Sequence, residues 1–312
     1  MRAPAAVHDA EVAAILSKYE EGRVKQENKF KTADDSVAKT DRTGWFNRNG
    51  WPEHLAQRNL RHLSRASRVP DHSEQVLQQA ARVVELAIEQ SVAGLSTLAQ
   101  ETRRWLKSAS REEIEQRPMA RLQNPESQRR YAGYMKQFVC YCLRVVAVSD
   151  LGSRSSRQGG SINSDADESD DEQQSGENNQ DPMRDARELF PWYGNQRQLA
   201  QALLRLVSSG YDEKAQVAKV IELLGSFIFQ EAGNRPFSSG LVHFLAVLGI
   251  DEETNRLRVA EDYSYMLAGM VYCTRVLAVE SACPTVRTVV RMRPILDITA
   301  QFLVLLRTDG SF

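Results

Sequence analysis

Two apolar segments within residues 237–280, joined by a short charged stretch, constrain the fold of this chain more than any other feature. The first segment has apolar side chains at steps of three and four residues, the spacing of one helix face: Leu241, Phe244, Leu245 and Leu248. The second has a broader stripe of the same kind: Tyr263, Met266, Leu267, Met270, Val271, Thr274, Leu277 and Ala278. Because the connection is short, we predict that the two helices pack as an antiparallel hairpin. Gly249 is predicted to end the first helix in the left-handed conformation.

The same helical spacing recurs through most of the chain, whereas strand-like alternation is scarce. Asp71 and Glu74 have the spacing of a capping box, and Asn124 followed by Pro125 marks a further helix start. The helical stripe that follows Pro125 continues to Val148. We therefore predict an all-α fold.

A segment of different composition interrupts this pattern at residues 149–183. It is rich in Gly, Ser, Asp, Glu and Gln and nearly free of apolar residues, so it cannot bury enough surface to offset its ordering entropy. We predict a disordered acidic linker here, either a plain solvated tether or a competitor for a basic surface. It would separate two helical bundles, a basic domain at 42–148 and a second domain at 184–312. Residues 1–41 are predicted to form a mobile arm.

The formal net charge of -1 conceals an uneven distribution of charge. Residues 42–68 contain six arginines and a single acidic residue, Glu53. A basic helix with nearby aromatic residues is typical of nucleic-acid contact, in which arginines neutralise phosphates and aromatic rings stack on bases. The candidate nucleic-acid-binding residues are Arg48, Arg58, Arg61, Arg65, Arg68, Trp45 and Trp51. The alternative is a solvated amphipathic helix that its aromatic residues anchor to the core.

No sequence motif of catalytic or cofactor chemistry is found. The chain lacks the G-x-x-x-x-G-K-[ST] phosphate loop, the H-E-x-x-H zinc motif and the G-x-S-x-G nucleophile motif. We therefore predict no enzyme activity, no cofactor and no metal site. The apolar run at 295–306 is too short to cross a bilayer, so no membrane association is predicted.

The histidines and cysteines are interpreted as structural residues. His243 lies among apolar residues and is predicted to belong to the core, whereas His54, His62 and His72 are predicted to be polar surface residues. Cys140 and Cys142 are two residues apart on a predicted helix, so they point in nearly opposite directions and cannot share a zinc ion. Four cysteines are few for a disulfide scaffold, and the sequence opens with no secretory signal. Cys140, Cys142 and Cys273 are therefore predicted to be reduced, buried thiols in an intracellular protein.

Several segments, in their order along the chain, carry a family resemblance. They are GWFNRNGWPEHL, SQRRYAGYMKQFVCYCLRV, an acidic break, SSGLVHFLAVLGID and YSYMLAGMVYCTRVLAVE. Together they resemble the helical region of large fungal proteins labelled telomere-associated RecQ-type helicases or orsellinic acid biosynthesis cluster protein D-like. The resemblance implies a nuclear, DNA-associated or mobile-element-derived protein. The zinc-finger and helicase modules of those proteins are missing from this sequence, so neither activity is carried over.

Two hypotheses of function follow from the sequence. The first is a non-catalytic module that binds nucleic acid weakly and without sequence specificity, through charge neutralisation and counterion release. The second is a protein-protein interaction scaffold, in which helical faces or residues 284–306 dock a partner or another copy. A clustered basic face would favour the first, and an exposed apolar patch with scattered basic residues would favour the second.

Overall fold

The computed structural model describes residues 49–108, 114–155, 183–210, 212–230 and 235–282. It has ten α-helices in these ranges: α1 (Trp51–His54), α2 (Leu60–Ser67), α3 (Gln75–Gly94), α4 (Gln100–Lys107), α5 (Pro125–Ser155), α6 (Arg184–Leu189), α7 (Gln196–Ser208), α8 (Glu213–Ile228), α9 (Gly240–Leu248) and α10 (Ala260–Ala282). Short 3-10 turns occur at Leu95–Thr97 and Pro236–Ser238. Within the described residues the only β contact is an isolated antiparallel bridge between Ile250 and Leu257. The predicted all-α class is therefore confirmed.

The helix-start signals of the sequence have the expected geometry at α5 and part of it at α3. The Asn124 Oδ1 atom accepts a hydrogen bond from the backbone N–H of Glu126 at 2.9 Å, and Pro125 is the first residue of α5. Glu74 Oε2 accepts from the backbone N–H of Asp71 at 3.1 Å, which is one half of a capping box. Helix α5 continues through Ser155, so the predicted linker boundary at 149 lies inside this helix, where no proline stops it.

Four helices, α3, α5, α8 and α10, form the centre of the fold. Helix α3 packs against α5, α8 and α10, and α10 also packs against α5 and α8. Their buried side chains belong to one continuous cluster, in which the Phe138 ring of α5 contacts Phe227 of α8 with ring centroids 5.0 Å apart. Helices α3 and α5 begin before the acidic segment, whereas α8 and α10 follow it. The described helices therefore share one core, and the prediction of two separate bundles is not confirmed.

The two helices of the 237–280 segment do not pack along each other as predicted. Helix α10 lies mainly against α5, α8 and α3, whereas α9 lies mainly against α2 and the 3-10 turn that precedes it. Every residue of α9 is buried, so a single neighbouring helix cannot cover it. The Tyr263 hydroxyl of α10 donates a hydrogen bond to the Leu245 carbonyl of α9 at 2.9 Å, which joins the two helices near their connection.

Gly249 ends α9 for a different reason from the one predicted. Its φ of -72° lies in the right-handed region, so the left-handed conformation is not used. Instead, the indole ring of Trp51 lies directly against it. A Cβ atom at this position would come within 2.3 Å of Trp51 Cζ3. Gly249 is therefore needed because its missing side chain leaves room for a tryptophan ring from another part of the chain.

Several predictions concern residues outside the described ranges. These are the mobile arm at 1–41, the acidic linker from residue 156 to 182 and the apolar run at 295–306.

Candidate functional site

Helix α2 presents the basic face that the sequence predicts. It begins after Asn59, whose Oδ1 atom accepts from the backbone N–H groups of Arg61 and His62 at 3.1 and 3.3 Å. Leu60, Leu63 and Ala66 of this helix are buried in the core. The exposed side carries Arg61 and Arg65, and Arg68 follows directly at the helix end. The amphipathic pattern of the sequence is confirmed at α2.

Arg58, a further predicted phosphate contact, has a structural role. Its guanidinium lies 3.4 Å from Asp185 Oδ1 and 2.5 Å from Glu188 Oε2, both in α6. The hydrogen bond with Glu188 raises the pKa of Arg58 above its ordinary value. Asp185 also accepts from the backbone N–H of Asn59 at 2.7 Å. These contacts join α6 to the start of α2. The positive charge of Arg58 is therefore neutralised by carboxylates of the same chain.

The position of Trp51 does not agree with the predicted stacking of its ring on a base. Only 1% of the Trp51 surface is exposed, and its ring contacts Tyr263 edge to face with centroids 4.7 Å apart. A ring enclosed in this way cannot stack on a nucleic-acid base, so the alternative interpretation, anchoring to the core, is confirmed for Trp51. Trp45 and Arg48 lie outside the described residues.

A groove of about 990 Å³ lies beside the basic face of α2, and we call it the basic-rimmed groove. Its wall and floor come from α2, α3, α5, α7 and the residue before α6: His62, Arg65, Ala66, Arg68, Ser73, Glu74, Gln75, Val76, Leu77, Leu143, Arg144, Ala147, Met183, Leu204 and Ser208. Its apolar residues include Leu77, Met183 and Leu204, which pack against the core from its edge. Arg65 and Arg68 are the exposed basic residues beside them. The groove thus combines an apolar floor with a basic rim.

Arg144 of α5 holds one wall of the basic-rimmed groove together. It donates to both carboxylate oxygens of Glu74, at 2.9 and 2.8 Å, and to the carbonyl oxygens of Ala66 and Arg68 at 2.8 and 2.7 Å. The hydrogen bond from Arg144 lowers the pKa of Glu74 below its ordinary value. Arg68 in turn lies 2.5 Å from Asp71. These contacts neutralise part of the basic charge, so the rim is only moderately basic.

Replacing Arg144 by lysine is expected to destabilise the fold by about 2 kcal/mol, because one ammonium group cannot serve two carboxylate oxygens and two carbonyl groups at once. Urea unfolding followed by circular dichroism measures this loss. Arg197→Lys, at an exposed arginine of α7, is the matched control and should leave the midpoint unchanged. Equal midpoints for both variants would contradict the assigned role of Arg144.

A cluster of hydrogen-bonded polar side chains lies in the core. The contacts among its members were not predicted. The His243 Nε2 atom is hydrogen-bonded to the Tyr141 hydroxyl at 2.9 Å, and its Nδ1 atom is hydrogen-bonded to His54 Nε2 at 2.9 Å. The His54 ring stacks on Phe237 with centroids 3.9 Å apart. His243 is fully buried, which confirms it as a core histidine. His54 is half-buried, so its prediction as a surface residue was wrong.

Burial keeps this cluster uncharged near neutral pH. Desolvation, helped by the nearby charge of Arg58, lowers the pKa of His54 to about 4. Desolvation also lowers the pKa of His243 well below its ordinary value and raises the pKa of Tyr141. Both ring nitrogens of His243 therefore have a hydrogen-bond partner, which is the usual state of buried polar groups. Local residue spacing could not predict the hydrogen bond between His54 and His243, because the two residues are far apart in the sequence.

The remaining candidates for chemistry are inert thiols. Cys140, Cys142 and Cys273 are buried and form no disulfide bond with one another, as predicted. Burial raises the pKa of Cys140 and of Cys273 to about 12, which disfavours the reactive thiolate form. In the described part of the chain, no group of three or more His, Cys, Asp or Glu side chains is arranged to hold a metal ion.

Among the described residues, no helix combines the length and the apolar character needed to cross a bilayer. Comparison of the chain with protein-family models, with curated proteins and with solved structures finds no match.

Proposed function

We propose that this chain is a non-catalytic helical interaction module whose basic-rimmed groove holds an acidic, amphipathic segment of another protein. The observation that carries the proposal is the apolar floor formed by Leu77, Met183 and Leu204 beside the exposed Arg65 and Arg68. An apolar floor favours a ligand with apolar side chains, and a basic rim favours one that also carries carboxylates.

The surface around the groove supports a protein ligand. Val76 lines the groove and is 36% exposed, and Val69, next to Arg68, is 59% exposed. Exposed aliphatic residues that adjoin a groove add apolar area that a partner can cover. A nucleic-acid backbone would make no use of this area.

The second candidate is weak association with nucleic acid without sequence specificity, the function that the family resemblance implies together with a nuclear location. One observation favours it: Arg61, Arg65 and Arg68 are exposed along one side of α2. It ranks second because Arg58 is held by carboxylates and Trp51 is enclosed in the core.

Fluorescence anisotropy with two probes tests both candidates on the full chain. The first probe is a fluorescein-labelled synthetic helical peptide with leucine on one face and glutamate on the other, and the second is labelled duplex DNA. Leu204→Gln removes part of the apolar floor, and the triple variant Arg61→Ala, Arg65→Ala, Arg68→Ala removes the basic charge. The exposed Arg197→Ala on α7 is the control.

We expect Leu204→Gln and the triple variant each to weaken peptide binding about tenfold, which corresponds to about 1.4 kcal/mol. Arg197→Ala should bind the peptide as the unchanged protein does. Identical peptide affinity for Leu204→Gln and the unchanged protein would contradict the interaction-module proposal. DNA binding that falls steeply with salt, with a shallower slope for the triple variant, would support the second candidate instead.

A further inference from the structure

A second groove lies between α3 and α8, and we call it the α3–α8 groove. It has a volume of about 570 Å³ and is lined by Leu86, Glu89, Gln90, Glu213, Lys214, Val217, Ala218 and Ile221. Leu86 and Ile221 are half-buried, and Ala218 is exposed. The groove therefore presents a strip of aliphatic side chains between polar residues.

The chain leaves the described structure at one end of this groove. The Ser281 hydroxyl, one residue before the end of α10, lies 3.2 Å from the carbonyl oxygen of Ile221, a lining residue. Glu280 lies beside the end of α3, since a Cβ atom at Gly94 would come within 2.8 Å of its Oε1 atom. Residues after 282 thus begin next to the α3–α8 groove.

The sequence after residue 282 matches the groove in charge and in pattern. Arg287, Arg291 and Arg293 precede an apolar run at 295–306. Glu89 of the groove and Glu280 beside its end form no ion pair with another described residue. The other end of the groove has mixed charge, because Lys214 lies there and Glu213 is 3.4 Å from Arg82. The basic residues that follow in the sequence are therefore opposite in charge to the two carboxylates at this end of the groove.

The apolar run itself has a helical spacing. Ile295, Ile298, Phe302 and Leu305 follow one another at steps of three, four and three residues, which places them on one face of a helix. Pro294 precedes the run, at a position that suits the start of a helix. Such a face needs an apolar surface to cover it.

We propose that residues 295–306 dock this apolar face in the α3–α8 groove of the same chain. The residues between 282 and 295 can span up to about 40 Å, whereas the stretch of α8 that lines the groove is about 12 Å long. Because the segment is tethered, its effective concentration at the groove is on the order of millimolar, so weak apolar contacts suffice to keep it there.

Maleimide labelling of single cysteines tests the proposal on the full chain. Ala218→Cys places a thiol in the groove, and Ala215→Cys places one on the same helix, exposed but outside the lining residues. Both variants carry Cys283→Ser, because that cysteine lies near the proposed segment. The other three native cysteines, Cys140, Cys142 and Cys273, are buried and are expected to react slowly. Each variant is measured with and without the triple change Ile298→Ser, Phe302→Ser, Leu305→Ser.

We expect the thiol at position 218 to react at least fivefold more slowly than the thiol at 215, and the triple change to abolish this difference. Equal rates at 218 and 215 would overturn the proposal, as would a difference that survives the triple change. The rates are repeated at tenfold lower protein concentration. Slow labelling of the thiol at 218 that is lost on dilution would also overturn the proposal, because it would mean that a second copy of the chain covers the groove.

Discussion

Replacing Gly249 by alanine is expected to destabilise the fold by about 3 kcal/mol, the upper part of the range for overpacked cores. The added methyl group would lie 2.3 Å from Trp51 Cζ3, 2.9 Å from Cη2 and 3.0 Å from Cε3. Trp51 cannot retreat easily, because it is fully buried and contacts Tyr263. The φ of -72° suits alanine, so the loss would come from packing alone.

The matched control for this prediction is Gly133→Ala in α5. A Cβ atom at Gly133 would meet nothing within 4 Å, so this change should stabilise the helix by about 0.5–1 kcal/mol. Urea unfolding of both variants measures the contrast. A double variant with Gly249→Ala and Trp51→Leu should lose less stability than the sum of the two single changes, because the smaller side chain makes room for the methyl group. Unchanged stability of Gly249→Ala would refute the packing argument.

Lowering the pH from 7 to 5 is expected to reduce the free energy of unfolding by about 2 kcal/mol through His54 alone. Burial and the charge of Arg58 lower the pKa of His54 to about 4, whereas an unfolded histidine titrates near 6.5. The unfolded state therefore binds the proton first as the pH falls. The stabilising contribution is complete above pH 6.5 and is lost as the pH decreases toward 4. His243 adds a loss of the same sign.

Substitutions separate this effect from the general acid response of the protein. His54→Gln removes the titrating group and keeps a polar side chain beside His243, so the loss of stability between pH 7 and 5 should shrink by about 2 kcal/mol. His72→Gln, at an exposed position, should retain the full loss. Unfolding by urea at a series of pH values provides the comparison. A loss of stability that is the same in both variants would exclude His54 as its source.

The sequence predicts the helices of this protein better than it predicts their partners. Steps of three and four residues identify the buried face of α2 and the helical state of α9, because periodicity is a local property. Which helix covers a face depends on the competition among all apolar faces of the chain, so α9 and α10 were paired incorrectly. Gly249 shows the same limit, since its neighbour Trp51 lies far away in sequence.

The candidate site was predicted only in part, for a similar physical reason. The exposed face of α2, with Arg61 and Arg65, follows from local spacing. The neutralisation of Arg58 by Asp185 and Glu188 does not, because these carboxylates lie on the other side of the acidic segment. Arg144 has no sequence feature that distinguishes it from a surface arginine. Its four hydrogen bonds arise only once α2, α3 and α5 meet.

The shared core has a consequence for the synthesis of this chain on the ribosome. Helices α3 and α5 are complete at residue 155, but α8 and α10, which cover them, are finished only at residue 282. At elongation rates of about 5–20 residues per second, the first helices wait on the order of ten seconds for their partners. During that interval the apolar faces around Val83, Ile88 and Phe138 stay open to water and to other nascent chains. Chaperones that bind exposed apolar helices therefore have their longest opportunity in the middle of translation.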